Sequence, residues 1–209
     1  MPQTAPAERT NQRYRTRKDL ISAAARLMKN GRKPTLDEVA EAALVSRATA
    51  YRYFPNIEAL LVEASVDLAT PDSAALFDDE SSNDPEVRID RAESAMHRMA
   101  FDNEPAIRLM LAAALTRADG ENGVPRRQNR RTSLIEAALA PARDRFDEAN
   151  YERLKAALAL IFGSESMIVF RDVLQLDENT AREVKGWAVR ALVRAALADS
   201  QVKDGTRMR

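Results

Sequence analysis

Residues 35–54, TLDEVAEAALVSRATAYRYF, predict two short helices joined by a tight turn. Thr35 followed three residues later by Glu38 is the capping-box pattern that opens a helix. Ser46 is a suitable N-cap for the second helix. Apolar residues recur at helical spacing and give each helix one buried side: Leu36, Val39, Ala40 and Ala43 in the first, and Ala50 and Phe54 in the second. The stretch therefore predicts a helical hairpin with a defined inner face.

The outward face of the second helix follows from a rotation of about 100° per residue. With Ala50 and Phe54 turned inward, Ala48 and Arg52 point most directly away from the core. The outward side and its flanks carry small or polar side chains: Arg47, Ala48, Thr49, Tyr51 and Arg52. Arg can donate two hydrogen bonds to a guanine edge, and an Ala or Thr methyl can contact the methyl group of thymine. The pattern favours a helix that reads the major groove over the alternative, an ordinary amphipathic hairpin with a solvated face.

The charge distribution indicates a nucleic-acid partner for the N-terminal part of the chain. The whole sequence of 209 residues has a formal net charge of zero. Residues 1–56 hold 11 Lys and Arg against 5 Asp and Glu, a net charge of +6, which leaves −6 on the remainder. A basic part joined to an acidic part suggests one DNA-facing region and one that avoids DNA, although chance can also produce such an asymmetry.

Composition favours helix throughout and argues against catalysis. Hydrophobic residues make up 45% of the chain, and only 6 Gly occur. The absence of Cys excludes disulfides, thiolate metal sites and a Cys nucleophile, and the sequence has no Gly-rich phosphate loop. With His97 as the single histidine, we expect no metal, no cofactor and no enzymatic activity. Because no stretch has the pattern of a signal peptide or a membrane span, we expect a cytoplasmic protein without membrane contact.

Basic residues cluster around the start of the first predicted helix. Residues 1–12 are polar and predict a disordered arm, and the helix is expected over about 16–30. Arg17 and Lys18 end the cluster that begins at Arg13. They either contact DNA, at phosphates or through an arm that reaches into a minor groove, or belong to a solvated helix start, and the sequence leaves these alternatives open.

The rest of the chain predicts further helices and a division into two domains. We expect an N-terminal arm and DNA-binding domain over residues 1–56, a connector helix at about 57–69, and a ligand-binding and dimerisation domain over 70–209. Acidic, Ser-rich residues at 70–85 predict a linker or loop. The later helices are predicted at about 86–102, 104–118, 127–140, 148–175 and 178–199, with a loop at 119–126.

The last two predicted helices carry more apolar surface than one small domain readily buries. We expect them to form a four-helix bundle with the same helices of a second chain. The residues predicted for this interface form apolar stripes at helical spacing: Leu158, Ile161, Val169, Val184, Trp187, Ala188, Ala191, Leu192 and Ala195. The alternative is that both helices are core of a monomer.

A pocket for a small apolar or amphipathic effector is expected within residues 86–175. Methionines are concentrated there, and their flexible thioethers adapt to ligands of varied shape. The predicted lining combines Met with aromatic and polar side chains: Met96, His97, Met99, Phe101, Met110, Phe162 and Glu165. A plain core explains the methionines as well, His97 can equally be a half-exposed helix residue, and Glu165 can pair with an Arg across a dimer.

The first 62 or so residues resemble the tetracycline-repressor (TetR) family of bacterial transcriptional regulators. The resemblance rests on the helix containing residues 23–27, on TLDEVA at 35–40, and above all on VSRATAYRYFPNIEAL at 45–60. It implies an all-α homodimer with about nine helices per chain, an N-terminal helix-turn-helix domain that binds a palindromic operator, and a small-molecule pocket in the second domain. Ligand binding would release the DNA and usually relieve repression.

The resemblance also assigns contacts with DNA by position. The residues that fall at contact positions lie in and before the two hairpin helices: Thr35, Ser46, Arg47, Ala48, Thr49, Tyr51, Arg52 and Tyr53. The sequence departs from the family pattern at two positions. Leu44 stands where the turn of the family usually has Gly. Ile57 stands where a phosphate-binding Lys usually begins the connector helix. An all-helical dimeric interaction module without sequence-specific DNA binding is the alternative function. The effector, the operator and the choice between repressor and activator are not determined by the sequence.

Overall fold

The computed structural model describes residues 6–29, 33–116 and 127–207. These residues form helices and no strand, which confirms the predicted all-α class. The helices follow in order as α1 (Pro6–Lys29), α2 (Leu36–Ala42), α3 (Arg47–Tyr53), α4 (Ile57–Ala69), α5 (Ser73–Phe77), α6 (Pro85–Asp102), α7 (Glu104–Thr116), α8 (Thr132–Leu139), α9 (Glu148–Ile161), α10 (Ser164–Ile168) and α11 (Glu178–Arg207). A 3-10 segment at Ala140–Arg145 follows α8, and a π-helical segment at Val169–Val173 follows α10.

The chain divides into two compact units. The N-terminal unit contains α1 to α4 and α7, from Met1–Ala69 and Asn103–Asn129. The C-terminal unit contains α5, α6 and α8 to α11, from Thr70–Asp102 and Arg130–Arg209. The expected second domain, 70–209, therefore differs from the C-terminal unit, because α7 packs against α4. The loop predicted at 119–126 lies outside the described residues.

Small and branched apolar side chains build the core of the N-terminal unit. The buried members come from α1, α2, the α3 region and α4: Leu20, Ile21, Ala23, Ala24, Ala25, Leu36, Val39, Ala40, Ala50, Tyr53, Phe54, Leu60 and Ala64. Alanines at the contact let helices approach closely, and each buried Leu or Ile contributes about 1.5–3 kcal/mol through removal of apolar surface from water. This core fixes the inner sides of α2 and α3, and thereby the direction in which their outer sides point.

Helix α1 begins at Pro6, ten residues before its expected start at about 16. The prediction of a disordered arm is therefore wrong for residues 6–12. The physical reason is local: proline is well suited to the first helical position, and the segment that follows contains Ala, Glu, Arg and Gln, which are good helix formers. The predicted end of this helix, at about residue 30, lies outside the described residues.

The long helix predicted at 148–175 is interrupted at Gly163. Its φ angle is 120°, a conformation that favours glycine, and α9 ends at Ile161 just before it. The guanidinium of Arg131 lies close by: a Cβ added to Gly163 would be 3.0 Å from Arg131 Nη2. The apolar periodicity that predicted one helix continues across the break, so only the glycine signals it.

Helices α6 and α11 pack together in the C-terminal unit, and α11 also contacts α9. The inner side of α11 carries Ala181, Lys185, Val189 and Val193, each at most 1% exposed. No helix of the described part of the chain is long and apolar enough to cross a membrane.

Candidate nucleic-acid interface

A complete capping box starts α2. The backbone N–H of Glu38 donates to Thr35 Oγ1 at 3.3 Å, and the backbone N–H of Thr35 donates to Glu38 Oε2 at 2.8 Å. Two backbone N–H groups that lack a partner within the helix thus donate to the side chains of Thr35 and Glu38. Thr35 is exposed beside the first turn of α2, which leaves it accessible to a DNA phosphate.

The turn between α2 and α3 uses a left-handed residue. Leu44 has a φ of 56° and is 94% exposed, so its side chain contributes almost no packing. The turn is held by backbone hydrogen bonds from Leu44 N–H to Glu41 O and from Val45 N–H to Ala40 O, each 3.0 Å long. A non-glycine residue in this conformation stores about 1–3 kcal/mol of strain, which the surrounding packing must offset.

Ser46 caps α3 and orients its first turn. Its hydroxyl accepts the backbone N–H of Thr49 at 3.1 Å and donates to Thr49 Oγ1 at 2.9 Å. Both hydroxyl groups are consequently fixed at the start of α3. At the other end, Phe54 leaves the helix in an extended conformation, and its backbone N–H still donates to Ala50 O at 2.9 Å.

The outer side of α3 is exposed as the helical rotation predicts. Arg47, Ala48, Tyr51 and Arg52 are exposed and Thr49 is half-buried. Arg47 Nη1 lies 3.2 Å from Asp37 Oδ2, but the Arg47 side chain is 76% exposed and that of Asp37 is 40% exposed, so the pair is weak and its Arg can be redirected to DNA. The Arg52 guanidinium lies 5.5 Å from the centre of the Tyr53 ring.

Two residues predicted to contact DNA lie inside the protein, and these assignments are corrected. Tyr53 is 1% exposed because it follows Ala50 by three residues and shares its inward side. Arg17 is also 1% exposed: its Nη1 donates to Glu63 Oε2 at 2.9 Å, its Nη2 pairs with the other carboxylate oxygen, and its guanidinium lies 4.8 Å from the Phe54 ring centre. Its guanidinium thus joins α1 to α4 and is not available to a phosphate. The adjacent Lys18 is exposed and stays a candidate for a phosphate contact.

Ile57 places an apolar side chain at the start of α4, where the resemblance to the TetR family implies a Lys. It is half-buried and packs against the core of the N-terminal unit. The cap of α4 is supplied by Asn56, whose Oδ1 accepts the backbone N–H of Ala59 at 2.8 Å. The helix start is therefore stabilised without a phosphate-binding Lys at this position.

The N-terminal unit accordingly has the structure of a helix-turn-helix DNA-binding domain: two capped helices, a tight turn and an exposed, polar second helix. The family model described as bacterial regulatory proteins, tetR family, matches residues 20–64. The match covers the helix-turn-helix region and supports a DNA-binding transcriptional regulator of this family. No curated protein and no solved structure matches the chain.

The residues predicted to line an effector pocket are divided between the two compact units. Met110 belongs to the N-terminal unit, where it lines a groove described below, and the other six belong to the C-terminal unit. Four of those six are buried in packed helices: Met96, His97, Met99 and Phe162. The Glu165 carboxylate lies 2.9 Å from Arg131 Nη2 of the same chain, so its expected Arg partner is found without a second chain.

A buried charge cluster between α6 and α11 was not predicted. Lys185 Nζ lies 2.5 Å from Glu93 Oε1, and both side chains are at most 1% exposed. Burial raises the pKa of Glu93 and lowers the pKa of Lys185, while each charge opposes the shift of the other. Both residues lie at helical spacing within apolar stripes, which is the sequence signal for a buried pair.

His97 lies one turn after Glu93 and is 1% exposed, not half-exposed. Its ring stacks on Phe101 with 4.4 Å between the centroids. Burial, together with the positive charges of Lys185 and Arg182, lowers its pKa to about 4. The imidazole is consequently neutral at physiological pH and belongs to the core of the C-terminal unit.

The predicted dimer surface is partly exposed and partly internal. On the described residues of α11, Val184 is 40% and Trp187 is 65% exposed, Ala195 is exposed, and Ala188, Ala191 and Leu192 are half-buried. Val169 is 46% exposed and Ile161 is half-buried. Leu158 is fully buried within the unit, so it offers no surface to a partner and is removed from the predicted set.

Proposed function

We propose that the protein is a one-component transcriptional repressor that binds a palindromic operator as a dimer and is released by a small-molecule effector. The observation that carries the proposal is the outer side of α3, where Arg47, Ala48, Tyr51 and Arg52 are exposed on a helix capped at both ends. These side chains match what the major groove offers: guanine acceptors for Arg and thymine methyls for Ala.

The dimer part of the proposal is supported by uncovered apolar side chains in the C-terminal unit. Besides Val184 and Trp187, the exposed large apolar residues include Leu160 at 77%, Val173 at 70% and Leu174 at 52%. Contiguous apolar surface on a soluble protein is typical of an interface. A two-fold symmetric pair would present two copies of α3, which is the arrangement that a palindromic site requires.

The experiment is selection of bound DNA from a random duplex pool with the purified protein, followed by footprinting of the enriched sequence. We expect a two-fold symmetric site and protection of both half-sites. Sedimentation of the free protein, compared with its Trp187→Glu variant, tests the dimer separately, because a charge at the interface should shift the population toward monomer. A dimer without any enriched DNA sequence would instead support the interaction-module alternative.

Repression and release are tested on the selected site placed upstream of a reporter gene. We expect expression to fall when the protein is supplied and to recover with an effector. Increased expression on binding would make the protein an activator and would contradict the repressor assignment. Neither result would alter the assignment of α3 as the DNA-contacting helix.

A further inference from the structure

A groove in the N-terminal unit lies beside the end of α3. It is bounded by α1, by residues 54–56, by α4 and by α7, and its volume is about 540 Å³. Pockets that bind small organic molecules usually have volumes of about 300–1,000 Å³. The groove is thus large enough for a ligand, and it belongs to the same compact unit as the DNA-contacting helix.

The lining of the groove is mainly apolar. Its walls include Phe54, Ala59 and Val62 from one side, and Leu109, Met110 and Ala113 from α7. Leu109 is 61% exposed although it is a large apolar residue, so covering it with a ligand would remove apolar surface from water. Met110 adds a flexible thioether that can adapt to the shape of a bound molecule.

The charges around the groove favour a cation. The Arg17 guanidinium and the Glu63 carboxylate neutralise each other and are held by their own paired contacts. Glu58 also lines the groove, is exposed, and forms no ion pair within the described part of the chain. The remaining net charge of the lining is therefore negative. A ligand whose apolar part is buried in the groove and whose positive group lies near Glu58 would match this lining.

We propose that this groove binds a small apolar organic cation and that occupancy of the groove weakens DNA binding; the second part rests on the proposed function. A molecule in the groove contacts Phe54, which ends α3, and lies against the Arg17–Glu63 pair that joins α1 to α4. The backbone between α3 and α4 is only residues 54–56, so a shift of α4 or α7 around a ligand is passed directly to α3. Such a ligand regulates only if it binds better to the form that cannot hold DNA.

The first experiment measures ligand binding without DNA. Three fluorescent probes share one ring and chain but differ in charge: pyrenebutylamine, pyrenebutanol and pyrenebutyrate. We expect the amine to bind most tightly by fluorescence anisotropy and the acid most weakly. Ala113→Trp places a large side chain in the groove and should weaken amine binding at least about tenfold, whereas Ala112→Trp, which lies one residue earlier and does not line the groove, should leave it unchanged.

A second matched pair covers the case in which a tryptophan disturbs folding. Leu109→Arg adds a positive charge at the groove, and Leu115→Arg adds the same charge at a residue of α7 that is 78% exposed and does not line it. We expect only Leu109→Arg to weaken amine binding. Equal amine affinity in wild type and a folded Ala113→Trp or Leu109→Arg variant would overturn the site, and an acid that binds as tightly as the amine would overturn its charge preference.

The second experiment adds saturating amine to a titration of the selected operator. We expect a weaker operator affinity for wild type and for Ala112→Trp, with a much smaller change for Ala113→Trp. If the amine binds in the groove but operator affinity is unchanged, the regulatory role of the groove is wrong. If no operator can be selected at all, the proposed function fails, while the probe measurements still decide whether the groove is a ligand site.

Discussion

The α2–α3 pair and the α6–α11 pair use polar residues in opposite ways. In α2 and α3, polar side chains cap helix ends within three residues of their partners and then face solvent: Thr35 pairs with Glu38, and Ser46 with Thr49. Between α6 and α11, Glu93 and Lys185 meet across 92 positions of sequence and are removed from water. The first arrangement leaves a surface free for recognition, whereas the second ties two helices together at a high cost of desolvation.

The largest expected effect concerns the buried pair. Lys185→Met leaves the Glu93 carboxylate buried without its main counter-charge, and we expect a loss of about 3–5 kcal/mol in the free energy of unfolding. Replacing both residues by Met should recover most of that loss, because no charge remains buried. Urea denaturation measures the free energy of unfolding of both variants.

Lys155→Met in α9 is the control, since its partly exposed pairs with Glu136 and Glu152 should contribute less than about 1 kcal/mol. A Lys185→Met variant no less stable than this control would contradict the account.

The next largest effect is a dependence of the free energy of unfolding on pH, which we expect from the buried His97. The pKa of His97 is about 4 in the folded protein, against 6.5 for an ordinary histidine. Between these values the unfolded chain binds a proton that the folded protein does not, so stability falls as the pH decreases. We expect His97 to account for a loss of roughly 2 kcal/mol between pH 7 and pH 5.

The His97→Phe variant keeps an aromatic ring beside Phe101 but cannot be protonated. Denaturation at pH 7 and at pH 5 should therefore show a smaller loss in the variant than in wild type. Equal losses in the two proteins would show that His97 has an ordinary pKa in the folded state and that its environment is wetter than the structure indicates.

A smaller effect of opposite sign is expected in the turn between α2 and α3. Leu44→Gly removes the Cβ from a left-handed residue and should stabilise the protein by about 1 kcal/mol. Leu44→Ala keeps the Cβ and should give no comparable gain. Thermal unfolding compares the two variants. The same stability for both would mean that the exposed Leu side chain, and not its backbone conformation, determines the energy of this turn.

The smallest expected effect concerns Lys18, an exposed cation of α1. Lys18 is exposed, so Lys18→Ala should weaken binding to all duplex sequences to a similar extent and reduce the slope of log affinity against log salt by about 1. Arg145→Ala, an exposed cation of the C-terminal unit, is the control and should leave the slope unchanged. An unchanged slope for Lys18→Ala would place the phosphate contacts elsewhere.

How far the sequence predicts the structure depends on the distance between interacting residues. The caps of α2 and α3 and the exposure of Arg47 and Arg52 follow from neighbours within one or two turns, and the structure agrees with them. Arg17 was assigned to the surface because it lies in a basic cluster, yet its partner Glu63 is 46 positions away. Pairings at such distances depend on the packing of whole helices, which local patterns do not contain.

The candidate ligand sites show the same limit. Methionine content predicted a single pocket, but the structure distributes those methionines between two packed units, and Met110 alone of the predicted set lines the groove beside α3. The break at Gly163 was also missed, since the apolar stripe continues through it and the glycine, whose φ is 120° in the structure, is its only sequence signal. Tyr53 was placed by resemblance at a contact position, although its spacing from Ala50 already indicates the inner side of α3.

The central claim is that the outer side of α3 reads bases. It is tested most directly by selecting bound DNA from the same random pool with wild type and with Arg52→Ala. We expect the wild-type site to be two-fold symmetric and the variant site to lose its preference at one base pair in each half-site, with the other positions retained, because one bidentate contact carries about 1–3 kcal/mol of discrimination. An identical sequence preference in the two proteins, or no preference in wild type, would contradict the assignment of α3 as the reading helix.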